Sequence, residues 1–216
     1  MNTHNFHILS SWKAALITLI GLPLLAWSIV YWTENKFGTL PLYSRNQQLA
    51  STEREAVYLP PFSFIDQNQQ ATTNAWLQNH ICVANFFFTS CPVVCPKMMH
   101  QLQHLAAADS SIRILSLTVD PDRDTPATLQ HYAAKWNISP HTWKLLTGNK
   151  KNLYYFARKG LYLTATDGDG GKDDFIHSDN IVLLDQQQRI RGYYSGTSAS
   201  AITLLLSDIK KLQHEK

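Results

Sequence analysis

Cys91 and Cys95 stand three residues apart in "NFFFTSCPVVCPKMM", directly after an apolar run. Two thiols so close suit two kinds of chemistry. As a redox pair, Cys91 would attack a substrate disulfide through a mixed disulfide and Cys95 would resolve it. As a soft ligand pair, they would hold a metal ion and need a third donor from elsewhere in the chain. The third cysteine, Cys82, lies alone in an apolar stretch and reads as a small core residue. His100 and His104 have the spacing of a helical metal pair, but at about 100° per residue they point roughly 140° and 180° away from Cys95. They read as part of a solvated face. Met98 and Met99 lie nearer the Cys95 face, where a thioether could meet a soft metal, although core packing is the simpler reading. "TDGDGGKDD", residues 166–174, resembles a calcium loop, yet Lys172 occupies the sixth position, where that motif requires glycine. It reads instead as a loop. The acids of "DPDRDTP" read as a turn and a helix cap.

The elements around the pair must position it. Residues 81–88, "ICVANFFF", form a nearly unbroken apolar run of strand length, as expected for a central strand covered on both faces. A helix over about 92–108 follows at once, which puts Cys91 at a strand end and Cys95 one turn into the helix. Unsatisfied N–H groups and the positive end of the dipole favour thiolate there, so both sulfurs are expected to be reactive, with Pro92 and Pro96 keeping them exposed. A hairpin over 62–73 precedes this unit, with Asn74 capping a short helical turn. After it come a buried strand at 112–119 and a helix with Thr125 as N-cap and Pro126 at its first position. A short strand at 142–148 and a helix from Asn149 to Gly160 come next. Residues 175–185 and 189–196 then form a hairpin about Gln186 to Gln188, and an amphipathic helix covers 198–212. This order predicts an α/β, thioredoxin-like fold with a central mixed sheet flanked by helices. Thioredoxin-type oxidoreductases pair CxxC with a cis-proline before a late strand. Here the spacing is CxxxC and no proline follows Pro140, which favours the metal without closing the redox reading.

The chain has 216 residues, one domain plus an appendage, and 19 basic against 16 acidic residues leave a net charge of +3. That balance is too mild and scattered to imply nucleic acid. Three cysteines are too few for a disulfide scaffold. Residues 14–33, "AALITLIGLPLLAWSIVYWT", carry no charge and are long enough, as a helix, to cover a bilayer core of roughly 30 Å. Trp12, Tyr31 and Trp32 flank them as an aromatic belt would, and no small-x-small cleavage site closes the segment. The expected organisation is a short cytoplasmic tail over 1–13, a single transmembrane anchor over 14–33, a polar linker over 34–58, and the globular domain over 59–216.

Three motifs in order carry a family resemblance over nearly the whole soluble part: "FFFTSCPVVCPKM", then "TVDPDRDTP", then a histidine ahead of a strand in "DDFIHSDNIVLLD". The sequence resembles the Sco/SenC family, membrane-anchored thioredoxin-like proteins that bind copper and serve assembly of the dinuclear copper site of cytochrome c oxidase. The resemblance implies copper, as Cu(I) or Cu(II), held by Cys91, Cys95 and His177. It implies a copper chaperone rather than an enzyme, with subunit II of the oxidase or another copper-accepting client as partner. A thiol-disulfide oxidoreductase that reduces such a client is the alternative. The implied location is a bacterial inner membrane, with the domain in the periplasm, where disulfides form. His177 stands out only through the resemblance. It lies 177 − 91 = 86 residues beyond Cys91, and closing so long a loop costs on the order of 4 kcal/mol, so the fold must bring it in. The turn in "DQQQRIRGYY" lacks the glycine often found there in the family, which bears on turn geometry alone.

Overall fold

The computed structural model describes residues 11–167 and 175–215, with the side chains of residues 11–14, 32, 34–37, 46 and 165–177 outside the description. The chain divides into two units, one built on the N-terminal helix and one running from Leu40 to Gln213.

In the first unit, α1 (Ser11–Phe37) is a single helix of 27 residues with Pro23 inside it. Its apolar side chains are exposed, Leu19 at 73% and Trp27 at 66%. The hydroxyls of Thr18 and Ser28 donate to the carbonyls of Ala15 and Leu25 at 2.9 and 2.8 Å, so these polar groups are satisfied within the helix. The expected span over 14–33 lies inside α1, but among the described residues no helix is long and apolar enough to cross a membrane.

The second unit is built on β3 (Cys82–Phe87), whose six residues are all buried, as a strand covered on both faces must be. It pairs in parallel with β4 (Arg113–Thr118), and β4 pairs in parallel with β5 (Trp143–Thr147). The parallel crossovers carry α2 (Val94–Ala108) and α3 (Pro126–Lys135). Thr125 caps α3 as expected, its hydroxyl accepting from Thr128 N at 3.3 Å, with Pro126 opening the helix. On one side β5 pairs antiparallel with β1 (Ser63–Asp66), which forms a hairpin with β2 (Ala71–Thr73). On the other, β3 pairs antiparallel with β8 (Asn180–Leu184), and β8 with β9 (Ile190–Ser195). The seven strands run β2-β1-β5-β4-β3-β8-β9, a central mixed sheet. After β5 comes α4 (Lys150–Tyr155), started by Asn149 Oδ1 accepting from Asn152 N at 3.2 Å and prolonged by a wider turn over Phe156–Gly160. Helix α5 (Ala199–His214) closes the fold, burying Ile202, Leu205, Ile209 and Leu212.

Three local expectations change. Residues 175–185 are not one strand: β6 (Ala165–Asp167) and β7 (Phe175–His177) form a separate two-stranded sheet, and only β8 joins the main one. Asn74 does not cap its helical turn. Its Oδ1 accepts from Phe62 N at 2.8 Å, and its Nδ2 donates to Pro60 O at 3.2 Å and Gln188 Oε1 at 2.9 Å. The last contact is returned by Gln188 Nε2 to Asn74 O at 3.2 Å, and Gln188 itself adopts φ 63°, the left-handed conformation that glycine favours at such a turn. Third, the chain read as a polar linker packs against the domain from Leu40 onward. Tyr43 N donates to Ile190 O at 3.1 Å, Ile190 N to Val57 O at 3.2 Å and Val57 N to Tyr43 O at 2.8 Å. The guanidinium of Arg191 donates to Leu40 O at 2.6 Å and Pro41 O at 3.2 Å. These isolated bonds along the edge strand leave no periodic signature in the sequence, because the segment forms only two single 3-10 turns, Arg45–Gln47 and Glu53–Glu55.

Candidate metal centre

The strand-to-helix junction places the two cysteines differently from expectation. Helix α2 begins at Val94, so Cys95 is its second residue and Cys91 precedes the helix. Cys91 is half-buried and its Sγ accepts the backbone N–H of Cys95 at 3.3 Å, satisfying one of the helix's orphan donors with sulfur. Cys95 is fully buried. Burial pushes its thiol well above the usual range, and contact with Cys91 and the charge of Asp124 push the same way, against one hydrogen bond with the Phe88 backbone. The expectation of two exposed, reactive sulfurs therefore holds for position but not for environment: α2 turns Cys95 inward against β3, and the helix end alone does not outweigh desolvation. Cys82 is buried and its thiol is likewise raised by desolvation, as a core residue's would be. Met98 and Met99 are fully buried in the core, whereas His100 and His104 are exposed.

Two features beneath the pair were not legible as parts of the site. Asp124 was read as part of a turn and cap, but its carboxylate is 1% exposed and reaches across to the cysteine loop. Its Oδ2 accepts from Thr89 N at 3.1 Å and from the Thr118 hydroxyl, and its Oδ1 accepts from the Thr89 hydroxyl. Thr89 is two residues before Cys91, so a residue 35 positions away fixes the backbone that presents the sulfur. Only the local pattern, an acid between a strand end and a Thr-Pro helix start, hints at it. The second feature is Met98, whose Sδ accepts from Asn85 Nδ2 of β3 at 3.7 Å, while Ser116 Oγ donates to Asn85 Oδ1 at 2.7 Å and Trp143 Nε1 to Ser116 Oγ at 2.9 Å. A chain of bonds across three strands thus seats the first turns of α2.

His177 ends β7, with its backbone opposite Ala165 of β6, and Ser178 N donates to Thr164 O at 3.1 Å. Its side chain lies outside the described residues, as do residues 168–174 of the loop before it. Topology still places the segment. Cys82 faces Leu184 and Ala84 faces Val182 across β3 and β8, so β8 starts, at Asn180, toward the end of the sheet at which β3 runs into the cysteine loop. The contact between this segment and α2 is tight. Gly196 N donates to Asp179 O at 2.9 Å, and a Cβ on Gly196 would lie 2.8 Å from that oxygen and 2.8 Å from both Cγ and Sδ of Met98. Asp179 is held in turn by the hydroxyls of Ser195 and Thr197 at 2.8 and 2.9 Å.

A central mixed sheet with a thiol pair where an interior strand passes into a helix defines a thioredoxin-like protein, with its cysteines placed as those of redox or soft-metal sites are. The chain belongs to the SCO1/SenC family, whose model matches residues 50–214. A SCO1 protein homolog of Bacillus subtilis (strain 168) is 30% identical over 155 residues, covering 69% of this chain and 80% of that protein. The solved structure of BsSco, described as having a disulfide switch and as a member of the Sco family of cytochrome c oxidase assembly proteins, matches with a TM-score of 0.65 and 26% identity, over 74% of this chain and 96% of that one. ScoI of Bradyrhizobium japonicum, solved with copper bound, shares the fold at a TM-score of 0.58 and 24% identity, over 72% of this chain and 99% of that one.

Proposed function

We propose that this protein is a membrane-attached copper carrier that binds copper through Cys91, Cys95 and His177 and passes it to the copper site of a cytochrome c oxidase, on subunit II or another accepting client. The observation that carries the reading is the Cys91–Cys95 contact at the β3–α2 junction, at the end of the sheet where β8 begins three residues after His177. The donor set fits the cargo, since two thiolates and an imidazole are soft enough for Cu(I), and Cu(II) leads the divalent affinity order. The copper-bound Bradyrhizobium relative and the membership of BsSco in a family of cytochrome c oxidase assembly proteins support the same cargo and client.

The geometry suggests how the two sulfurs divide the work. Cys91, half-exposed, meets the incoming ion first, and its backbone is held by Asp124 through Thr89. Cys95 binds from inside; its raised thiol must give up a proton, so loading releases protons and is favoured as pH rises. Three protein ligands leave a position where an acceptor's ligand can enter before the donor's bonds break. Two-electron oxidation of the pair to a disulfide removes both sulfur ligands, so redox state controls loading. A half-exposed Cys91 backed by a buried Cys95 is also the arrangement of an attacking and a resolving thiol, which supports reduction of a client disulfide as the second reading.

Attachment through α1 rests on the uncharged stretch over 14–33 and its exposed apolar side chains, and the periplasmic face on the need of a redox-controlled thiol pair for an oxidising compartment. The test is to titrate the reduced full chain in detergent with Cu(I) and Cu(II), beside Cys91→Ser and His177→Ala. Retention of one tightly held equivalent whose affinity falls at least tenfold in each variant is expected. Failure to retain copper, or a His177→Ala variant with unchanged affinity and spectrum, overturns the reading. Rapid turnover of a protein disulfide without copper retention selects the reductase. Carbonate-resistant membrane association that is lost on removing residues 1–37 is expected for the anchor, and its persistence refutes it.

A further inference from the structure

Helix α2 carries a second pair of ligand-type side chains that the cysteine site does not use. His100 and His104 are both exposed, and their ring centroids lie 6.1 Å apart with planes inclined by 22°. Four residues turn an α-helix by roughly 400°, so the two rings leave it within about 40° of one direction and one turn apart. Cys95 faces inward, roughly 140° and 180° around the same axis from the two histidines, so an ion held by the imidazoles is out of reach of the thiols. One ring is already positioned. His100 rests edge-on against Trp136, centroids 5.9 Å apart at 81°, and Gln103 of the same helix donates Nε2 to Trp136 O at 2.6 Å, tying that contact to α2. His104 needs only rotation about its own side-chain bonds to bring a nitrogen toward that of His100. Lys97, exposed one turn earlier, places a positive charge near the pair, and its flexible stem lets the ammonium swing into water.

We propose that His100 and His104 form a separate surface site for a divalent transition-metal ion. Two histidines at this spacing on one helix face are the ligand arrangement of helical zinc motifs, and each nitrogen reaches an ion at about 2.0–2.1 Å. Imidazole suits copper, zinc and nickel, and the order of divalent affinities places Cu(II) first. Water fills the remaining positions, so the ion exchanges faster and binds more weakly than at a site of three protein ligands. The pair takes Cu(II), first in the divalent order, and lacks the soft sulfurs that favour Cu(I) at the cysteine site. The site does not depend on the copper-delivery reading.

The test uses the full chain in detergent carrying Cys91→Ser and Cys95→Ser, which removes the sulfur site and keeps the two questions apart. Titration with Cu(II), followed by electron paramagnetic resonance and visible absorption, is expected to show a bound ion with nitrogen hyperfine structure. Addition of His104→Gln should weaken that ion at least tenfold, and addition of both His100→Gln and His104→Gln should abolish its signal. Ni(II) and Zn(II) should compete for it, more weakly than Cu(II). Unfolding curves for the histidine variants that overlay the parent exclude a folding defect, and His104→Gln alone leaves the Trp136 contact in place. An isotherm and spectrum unchanged by both substitutions overturn the proposal.

Discussion

Gly196 is the point at which the β8–β9 side of the sheet touches the helix that bears Cys95, and substitution by alanine tests whether that contact sets the geometry of the centre. A Cβ there would lie 2.8 Å from Asp179 O and 2.8 Å from both Cγ and Sδ of Met98, closer than real Cβ contacts. Neither neighbour yields easily. Asp179 O already accepts from Gly196 N at 2.9 Å, so backing away loses that bond. Met98 is fully buried and its sulfur is engaged by Asn85 Nδ2 at 3.7 Å. Overpacking of a core costs about 1–3 kcal/mol and the loss of a hydrogen bond about 1 kcal/mol more, so Gly196→Ala should lose about 2–4 kcal/mol. For a domain of this size that lowers Tm by roughly 5–15 °C. Urea unfolding of wild type and variant measures the free energy directly. A double-mutant cycle with Met98→Ala separates the two clashes: removing the sulfur should recover at least about 1 kcal/mol of the coupling if Met98 is the main obstacle. Because the strain separates the segment after His177 from α2, copper affinity should fall with stability. A variant within about 0.5 kcal/mol of wild type with undiminished copper binding would refute the reasoning.

Two further outcomes follow from the environment of the cysteines. In the folded, reduced protein, iodoacetamide should modify Cys91 at least about tenfold faster than Cys95, with the difference vanishing in urea; peptide mass spectrometry reads it, and equal native rates would contradict the inward placement of Cys95. Burial raises Asp124 above its ordinary carboxylate value of 3.8, with Asp120 adding to the effect and the hydrogen bonds of Thr118 and Thr89 opposing it. A raised folded-state value means that the contribution is full below the unfolded value and is lost as pH rises through the folded one. Asparagine does not titrate, so the unfolding free energy of wild type minus that of Asp124→Asn should fall from about pH 3.5 to pH 7, and a value that rises over that range would sink the argument.

Much of the architecture was legible because it is written in local patterns. The nearly unbroken apolar run of β3, the Thr125-Pro126 start of α3 and the Asn149 cap of α4 each depend on residues within a turn or a strand of one another. The thiol pair was legible for the same reason, since its spacing and its place between strand and helix are local. The strand boundary at His177 was not, because β7 and β8 run close together in sequence and only their pairing partners separate them.

By itself, then, the sequence determined the order of the strands and helices of the main sheet and the junction that carries Cys91 and Cys95, while His177 was picked out by resemblance alone. Tertiary structure alone decided the unequal burial of the two sulfurs, the grip of Asp124 on Thr89, the close approach of Gly196 to Met98, and the packing of residues 40–58 along β9. The physical reason is that propensity and capping act over a few residues, whereas desolvation and buried hydrogen bonds depend on which distant segments the register of β3 with β4 and β8 brings together.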